Sequence, residues 1–252
     1  MLFQKWWWKN LADVCRRWRH IIFGSPQGLG LQIICNGRTP TKVSLDIWPQ
    51  FPISIICFVW DVNDVEAEEN VFAALGHHER LLEITFDGLT SHVLKRFAAE
   101  MREPLPALTY LRLASCDITA AILPGTFLGG CAPSLRSFNL YGVAFPEFPK
   151  FVFSASQLVS LRLWDMPTTG YISPEAMATC LTGLPNLEIL FIGFEIQSYS
   201  LEAGRPQRMC AVLPALTFFK FRGEEAYLED LLARLDTPLV DNIEIPQHNH
   251  LQ

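Results

Sequence analysis

The feature that most restricts the fold of this chain is a short apolar frame that keeps returning. In Pro104-Leu-Pro-Ala-Leu-Thr-Tyr-Leu-Arg-Leu-Ala-Ser-Cys-Asp-Ile118 it takes the form Φ-x-x-Φ-x-Φ, carried by Leu108, Leu111 and Leu113. The same frame recurs as Ile53/Ile56/Phe58, Leu81/Ile84/Phe86, Leu135/Phe138/Leu140, Leu158/Leu161/Leu163, Leu187/Leu190/Ile192, Leu216/Phe219/Phe221 and Val240/Ile243/Ile245, with lead positions 23 to 29 residues apart. Pro106, Pro133, Pro185, Pro214 and Pro238 each stand two residues before a copy. The last two framed residues are two apart, so an extended chain sends both side chains to one face and the residue between them to the other. One such strand cannot bury its own apolar face. Parallel stacking of neighbours can, and connections of about two dozen residues suit parallel rather than hairpin pairing.

This periodicity resembles that of leucine-rich repeats, whose period is about 20–29 residues, and Cys116 and Ile118 fall where such a repeat places its Asn or Cys and its next apolar residue. The expected fold is therefore α/β: a leucine-rich-repeat-like solenoid with a curved parallel sheet, helices and loops on the convex side, and a short N-terminal helix. Leu111 is expected beside Leu82 or Ile84 on one strand and Phe138 on the next. Proline fixes φ and lacks an N–H, so it belongs where a strand begins. The residues between the framed pairs, Arg112, Asn139, Arg162, Phe191, Lys220 and Glu244, are expected to point outward. Of these, Arg112, Asn139, Arg162 and Lys220, with Trp164 alongside, are the candidate partner-binding residues. The competing fold is an ordinary α/β domain with evenly spaced parallel strands, which needs a long helix after nearly every strand.

Half of the 252 residues are hydrophobic and 18% are charged, a balance that excludes global disorder. No apolar run approaches the roughly 18 residues that cross a membrane, and the opening residues lack the pattern of a signal peptide. Seven scattered cysteines, at positions 15, 35, 57, 116, 131, 180 and 210, form no C-x-x-C pair, so a reduced cytoplasmic or nuclear setting is expected. Residues 1–50 carry seven Lys or Arg against two Asp or Glu, and the remainder thirteen against twenty-four, a split of +5 and −11. An acidic body argues against nucleic acid as its partner.

Leu11, Val14, Cys15, Trp18, Ile21 and Ile22 recur at three-to-four residue spacing, which predicts a helix with one apolar face and Arg16, Arg17 and Arg19 off it. Gly24-Ser-Pro26 ends it. The segment Leu11-Ala-Asp-Val-Cys-Arg-Arg-Trp-Arg-His-Ile-Ile22 resembles the last helix of an F-box, with its V-C-x-x-W-x-x-I-I signature. Asp46-Ile-Trp-Pro-Gln-Phe-Pro52, Leu123-Pro-Gly-Thr-Phe-Leu-Gly-Gly130 and Thr169-Gly-Tyr-Ile-Ser-Pro-Glu-Ala176 also resemble fungal F-box proteins of the leucine-rich type. The resemblance implies a remnant of the F-box over residues 1–26 and a repeat domain over 27–252. It implies a substrate receptor or adaptor of a cullin-type ubiquitin ligase, whose Skp-type adaptor would meet Leu11, Val14, Cys15, Trp18, Ile21 and Ile22. The three-helix motif takes about forty to fifty residues, and only its last helix has a counterpart here. Trp6, Trp7 and Trp8 are expected to pack on the first repeat, and adaptor binding is expected to be weak.

Further helices are expected over Asp64 to Leu75, from Ser91, from Pro174 behind a Ser173 cap, and over Glu224 to Leu235. Leu29, Leu31 and Ile33 read as an opening edge strand, the prolines and glycines between Ile118 and Leu158 as short turns, and Glu195 to Met209 as a long connector. No P-loop, G-x-S-x-G or dinucleotide fingerprint is present. His77-His78 and His248-x-His250 lack further ligands at metal spacing, and Glu66, Glu68 and Glu69 read as a solvated helix start. No catalytic residue, metal or cofactor is expected. An α/β enzyme acting on a small molecule and a truncated, inactive F-box relative are the alternatives.

Overall fold

In the computed structural model, which describes residues 14–24, 33–35, 45, 51–58, 65–117, 119–194, 210–240 and 243–244, one turn is built six times. The N–H of Leu108, Leu135, Leu158, Leu187, Leu216 and Val240 donates to the carbonyl three residues earlier, at 3.0 to 3.3 Å. Five of these turns hold proline at their second position, where its fixed φ is already that of a type I turn. The proline thus shapes the turn ahead of the strand rather than the strand's first residue. Past the turn the chain enters a ladder in the same way each time. Thr109 O accepts from the N–H of Arg136 and Ser137 (2.8 and 3.0 Å), Arg136 O from Val159 and Ser160, Val159 O from Glu188 and Ile189, and Glu188 O from Thr217 and Phe218.

The result is a mostly parallel central sheet in which, among the described residues, nine strands lie side by side in chain order. They are β1 Ile33–Cys35, β2 Ile53–Phe58, β3 Leu81–Leu89, β4 Tyr110–Ser115, β5 Ser137–Tyr141, β6 Ser160–Met166, β7 Ile189–Phe194, β8 Phe218–Arg222 and β9 Ile243–Glu244. Every pairing is parallel. Leu111 stands opposite Ile84 on β3 and Phe138 on β5, as the frame requires. The same register runs on through Leu161, Leu190 and Phe219 to Ile243. The framed leucines are fully buried. Each such side chain contributes about 1.5–3 kcal/mol on leaving water.

Six helices occur among the described residues: α1 Arg16–Gly24, α2 Val65–Leu75, α3 Ser91–Glu100, α4 Phe148–Val152, α5 Pro174–Leu181 and α6 Glu225–Leu232. They and the turns pack on the face that carries the framed residues, through rings that meet from both layers. Phe97 of α3 lies 4.9 Å from Phe86, Phe151 of α4 lies 5.4 Å from Phe138, and Tyr227 of α6 stacks on Phe221 at 5.6 Å. Among the described residues, none of these helices is long and apolar enough to cross a membrane.

Helix starts follow their caps. Thr90 Oγ1 accepts from Val93 N–H (3.4 Å) at α3, and Ser173 Oγ accepts from Ala176 N–H (3.2 Å) ahead of Pro174 at α5. Asp117, from the turn after β4, adds a second cap to α3 by accepting from both the N–H (2.6 Å) and the hydroxyl (2.8 Å) of Ser91. These two bonds, the backbone one first, hold the Asp117 carboxyl below its ordinary value. Between Ile118 and Leu158 the described residues form short turns, with a 3₁₀ segment over Phe127–Gly130 and the five-residue helix α4, and Leu128, Gly129 and Gly130 follow one another at φ 54°, 61° and 70°.

Three expectations are corrected. On β2 the buried apolar residues are Ile53, Ile55 and Cys57, while Ile56 and Phe58 face the other way, because the ladder shifts between Ile53 and Ser54, leaving Leu82 of β3 unopposed. A one-residue slip exchanges the two faces of a strand, so the frame Ile53/Ile56/Phe58 misplaces two residues. The last helix stops at Leu232 because Leu235–Asp236 pairs in parallel with Ala211–Val212. Cys116 is exposed, whereas a residue that served the repeat from inside would be buried. Leu29, Leu31, Asp64 and the connector over 195–209 lie outside the described residues, as do Trp6, Trp7 and Trp8.

Candidate functional site

The face of the sheet opposite the helices presents three rows of side chains, fixed by the strand register. The first row is Glu83, Tyr110, Ser137, Ser160, Ile189 and Phe218 from β3 to β8. The second is Thr85, Arg112, Asn139, Arg162, Phe191, Lys220 and Glu244 from β3 to β9. The third holds Ala114, Tyr141 and Trp164 on β4 to β6 and Gly193 and Arg222 on β7 and β8. All five candidates from the sequence therefore lie on one face. Four are partly exposed and one is not.

Asn139 is the exception, at 6% exposure. Its neighbours in register are Arg112 and Arg162, whose long side chains rise on either side of its short amide. Asn139 Nδ2 donates to Ser137 Oγ (3.1 Å) and, at the limit of hydrogen bonding, to Leu111 O (3.5 Å). It props the row from below and does not present itself to a partner, so its place among the partner-binding residues is withdrawn.

The charges on this face are mostly tied to one another. Arg112 grips Asp87 in a fork, Nε to Oδ2 and Nη2 to Oδ1, both at 3.2 Å. Lys220 Nζ donates to Glu244 Oε2 at 3.0 Å, and Arg222 Nη1 to Asp165 Oδ1 at 2.7 Å. Pairs this exposed contribute at most about 1 kcal/mol each, so they fix the positions of side chains more than they stabilise the fold. Arg162 is different. Its guanidinium lies over the Phe191 ring, 4.5 Å from the centroid, and no carboxylate pairs with it among the described residues. Its covered Nε has no hydrogen-bond partner, and neither has the covered Oγ of Ser160, two residues earlier on the same strand. Leaving a covered polar group unpaired costs about 1–3 kcal/mol.

Aromatic rings surround this cation. Trp164 and Phe191 meet edge to face at 6.1 Å, Phe191 and Phe218 lie tilted to each other at 5.4 Å, and Lys220 Nζ sits 5.9 Å from both the Trp164 and the Phe191 ring. Gly193 makes room for the arrangement. A Cβ there would stand 2.8 Å from Trp164 Cε3, so only glycine lets the indole lie across β7.

Asp165 adopts φ 49°, in the left-handed region, where the ladder between β6 and β7 shifts. Asp is among the few residues that tolerate this conformation. Its carboxylate serves Arg222 and also accepts from Tyr141, and that hydrogen bond, helped by partial burial, raises the phenol above its ordinary value. Tyr141, Asp165, Arg222 and Phe218 were not singled out as partner-binding candidates. Tyr110 and Phe218 were legible as the residues two before Arg112 and Lys220 on the same face, but the turn that brings Asp165 to Arg222 has no signal in the frame.

The helical candidates form a separate patch. Val14, Cys15, Trp18 and Ile21 are all exposed, at 64% for Val14, 46% for Trp18 and 55% for Ile21. Phe23 is partly buried instead, and its ring meets Phe51 at 5.8 Å. Ile22 lies within α1, and Leu11 lies outside the described residues. The described residues contain no group of three or more His, Cys, Asp or Glu placed to hold a metal ion. Cys180 is buried, which pushes its thiol up to about 11, far from the thiolate that a nucleophile needs. Comparison with known proteins finds no matching family model, no similar curated protein and no similar solved structure.

Proposed function

We propose that this chain is a protein-binding receptor, a leucine-rich-repeat-like solenoid that holds a partner on the open face of its sheet. The observation that carries the reading is the composition of that face. Rings at Tyr110, Trp164, Phe191 and Phe218 are interleaved with Arg112, Arg162 and Lys220, and aromatic residues and arginine are the types that dominate protein interfaces. The solenoid reading is supported by the turn that recurs six times and by strands that neighbour one another in strict chain order. Repeat proteins are built that way, each unit resting on its neighbours.

Within this proposal, α1 keeps the role that its resemblance to the end of an F-box implies: an adaptor of the Skp type would meet Val14, Cys15, Trp18 and Ile21. Their exposure supports this patch as a contact. One helix supplies a small part of the roughly 1,200–2,000 Å² that a stable interface buries, so adaptor affinity weaker than micromolar is expected. The setting that fits a substrate receptor of this kind is the cytoplasm or nucleus.

The test separates the two surfaces. Proteins recovered with the purified chain from a cell extract are compared with those recovered by Arg112→Glu/Arg162→Glu and by Trp18→Ser/Ile21→Ser, all matched for melting temperature. Partners lost only with the first variant support the open face, and equal recovery by all three overturns it. Calorimetry with a purified Skp-type adaptor checks the second surface, where sub-micromolar affinity would overturn the expected weak contact.

A further inference from the structure

Four cations stand on the three rows of the open face, and three of them already have a carboxylate of this chain: Arg112 has Asp87, Lys220 has Glu244 and Arg222 has Asp165. Arg162 alone has none among the described residues, and it occupies the middle of the series, two strands from Arg112 and two from Lys220. We propose that the open face takes an extended protein segment bearing a single aspartate or glutamate, whose carboxylate is held by the Arg162 guanidinium beside the Trp164 and Phe191 rings. This rests on the reading that the open face binds protein, and it names the chemistry of what is bound.

Geometry and charge favour that occupant. A guanidinium lying on an aromatic face keeps its edge N–H groups in the plane, where a carboxylate is received bidentately. The Phe191 ring, 4.5 Å below, fixes that plane. One uncompensated positive charge matches one carboxylate. A second acid, or a dianion, would find no further unpaired cation on the three rows, since Arg112, Lys220 and Arg222 already hold carboxylates of this chain. The rings of Phe218, Phe191 and Trp164 call for apolar or aromatic residues next to the acid. From β4 to β8 is four strand spacings, about 19 Å, the reach of roughly six extended residues.

The experiment displays random heptamers on phage, selects them on the immobilised full chain, and measures the winning peptides by fluorescence anisotropy. The expected result is an enriched Asp or Glu at one position, flanked by apolar or aromatic residues. Arg162→Gln then weakens binding at least tenfold, as does Asp→Asn or Glu→Gln in the peptide. Arg162→Lys, which keeps the charge but loses the fork, falls between, and Arg96→Gln on the helical side changes nothing. Winning peptides without an acid, or a change under threefold on Arg162→Gln, overturn the carboxylate assignment and leave the protein-binding face standing. A phosphoserine in place of the acid that binds tenfold tighter overturns it in favour of phosphate. Failure of any peptide to be enriched, or enriched peptides indifferent to Trp164→Ala and Phe218→Ala, overturns the face itself.

Discussion

The strands from β4 to β8 and the strand β2 carry the same apolar frame in the sequence, yet only the former bury what the frame says they bury. Ahead of β4 to β8 stands the same four-residue turn, closed by Leu108, Leu135, Leu158, Leu187 or Leu216. It delivers the chain to the ladder with the second framed residue facing inward. On β2 Ile53 is itself the first ladder residue, and the strand alternates directly through Ile55 and Cys57. The apolar side chains are similar in both regions. What differs is where the ladder begins: two residues past the lead position on β4 to β8, and at the lead position itself on β2.

Acid substitutions break or sharpen this comparison most strongly. Leu111→Asp on β4 and Ile55→Asp on β2 each place an uncompensated charge in the core, and a loss of on the order of 4 kcal/mol or more is expected. Ile56→Asp, one residue along and on the open face, is expected to cost roughly 1 kcal/mol. Thermal unfolding reads the difference, since each kcal/mol moves a domain of this size by about 2–4 °C. If Ile56→Asp proves the more damaging of the two β2 variants, the register described for that strand is wrong.

A smaller effect belongs to Gly193. Gly193→Ala drives a methyl into the Trp164 ring, and about 1–3 kcal/mol is expected along with a changed near-ultraviolet circular dichroism band. In a Trp164→Ala background the same substitution is expected to lose most of its cost, because the pair is coupled through that one contact. Additive costs would place the indole elsewhere.

Tyr141 offers a pH readout on the same part of the face. Its pKa is raised in the folded chain by the hydrogen bond to Asp165, so the bond's contribution is fully present below the unfolded value near 10 and is lost as pH rises through the folded value. Asp165→Asn keeps a residue that tolerates φ 49° but removes the charge. An ultraviolet titration should then show Tyr141 ionising at lower pH, with less stability lost above pH 10. An unchanged titration would separate Tyr141 from Asp165.

The smallest change in stability is expected at α1. Trp18→Ser and Ile21→Ser alter exposed side chains and should stay within about 0.5 kcal/mol, whereas Phe23→Ser, which removes the ring on Phe51, should cost more. A melting temperature that falls as far with Trp18→Ser as with Phe23→Ser would show that α1 buries the face its sequence pattern marks.

What the sequence determined by itself is whatever repeats or follows from one residue's own backbone preference. Leu111, Phe138, Leu161, Leu190 and Phe219 announced one ladder, because period-two burial is a property of any extended chain. Ser173-Pro174 fixed the start of α5 and the prolines fixed the turns, because capping and φ are local. The tertiary structure decided the rest. Asn139 is buried only because Arg112 and Arg162 flank it on neighbouring strands, Arg222 meets Asp165 across 57 residues, and the Trp164 indole has its place only because Gly193 on the next strand has no side chain. Val14, Trp18 and Ile21 form an apolar helical stripe in the sequence, but a period specifies a face and not what covers it, and that depends on which surface the fold places opposite.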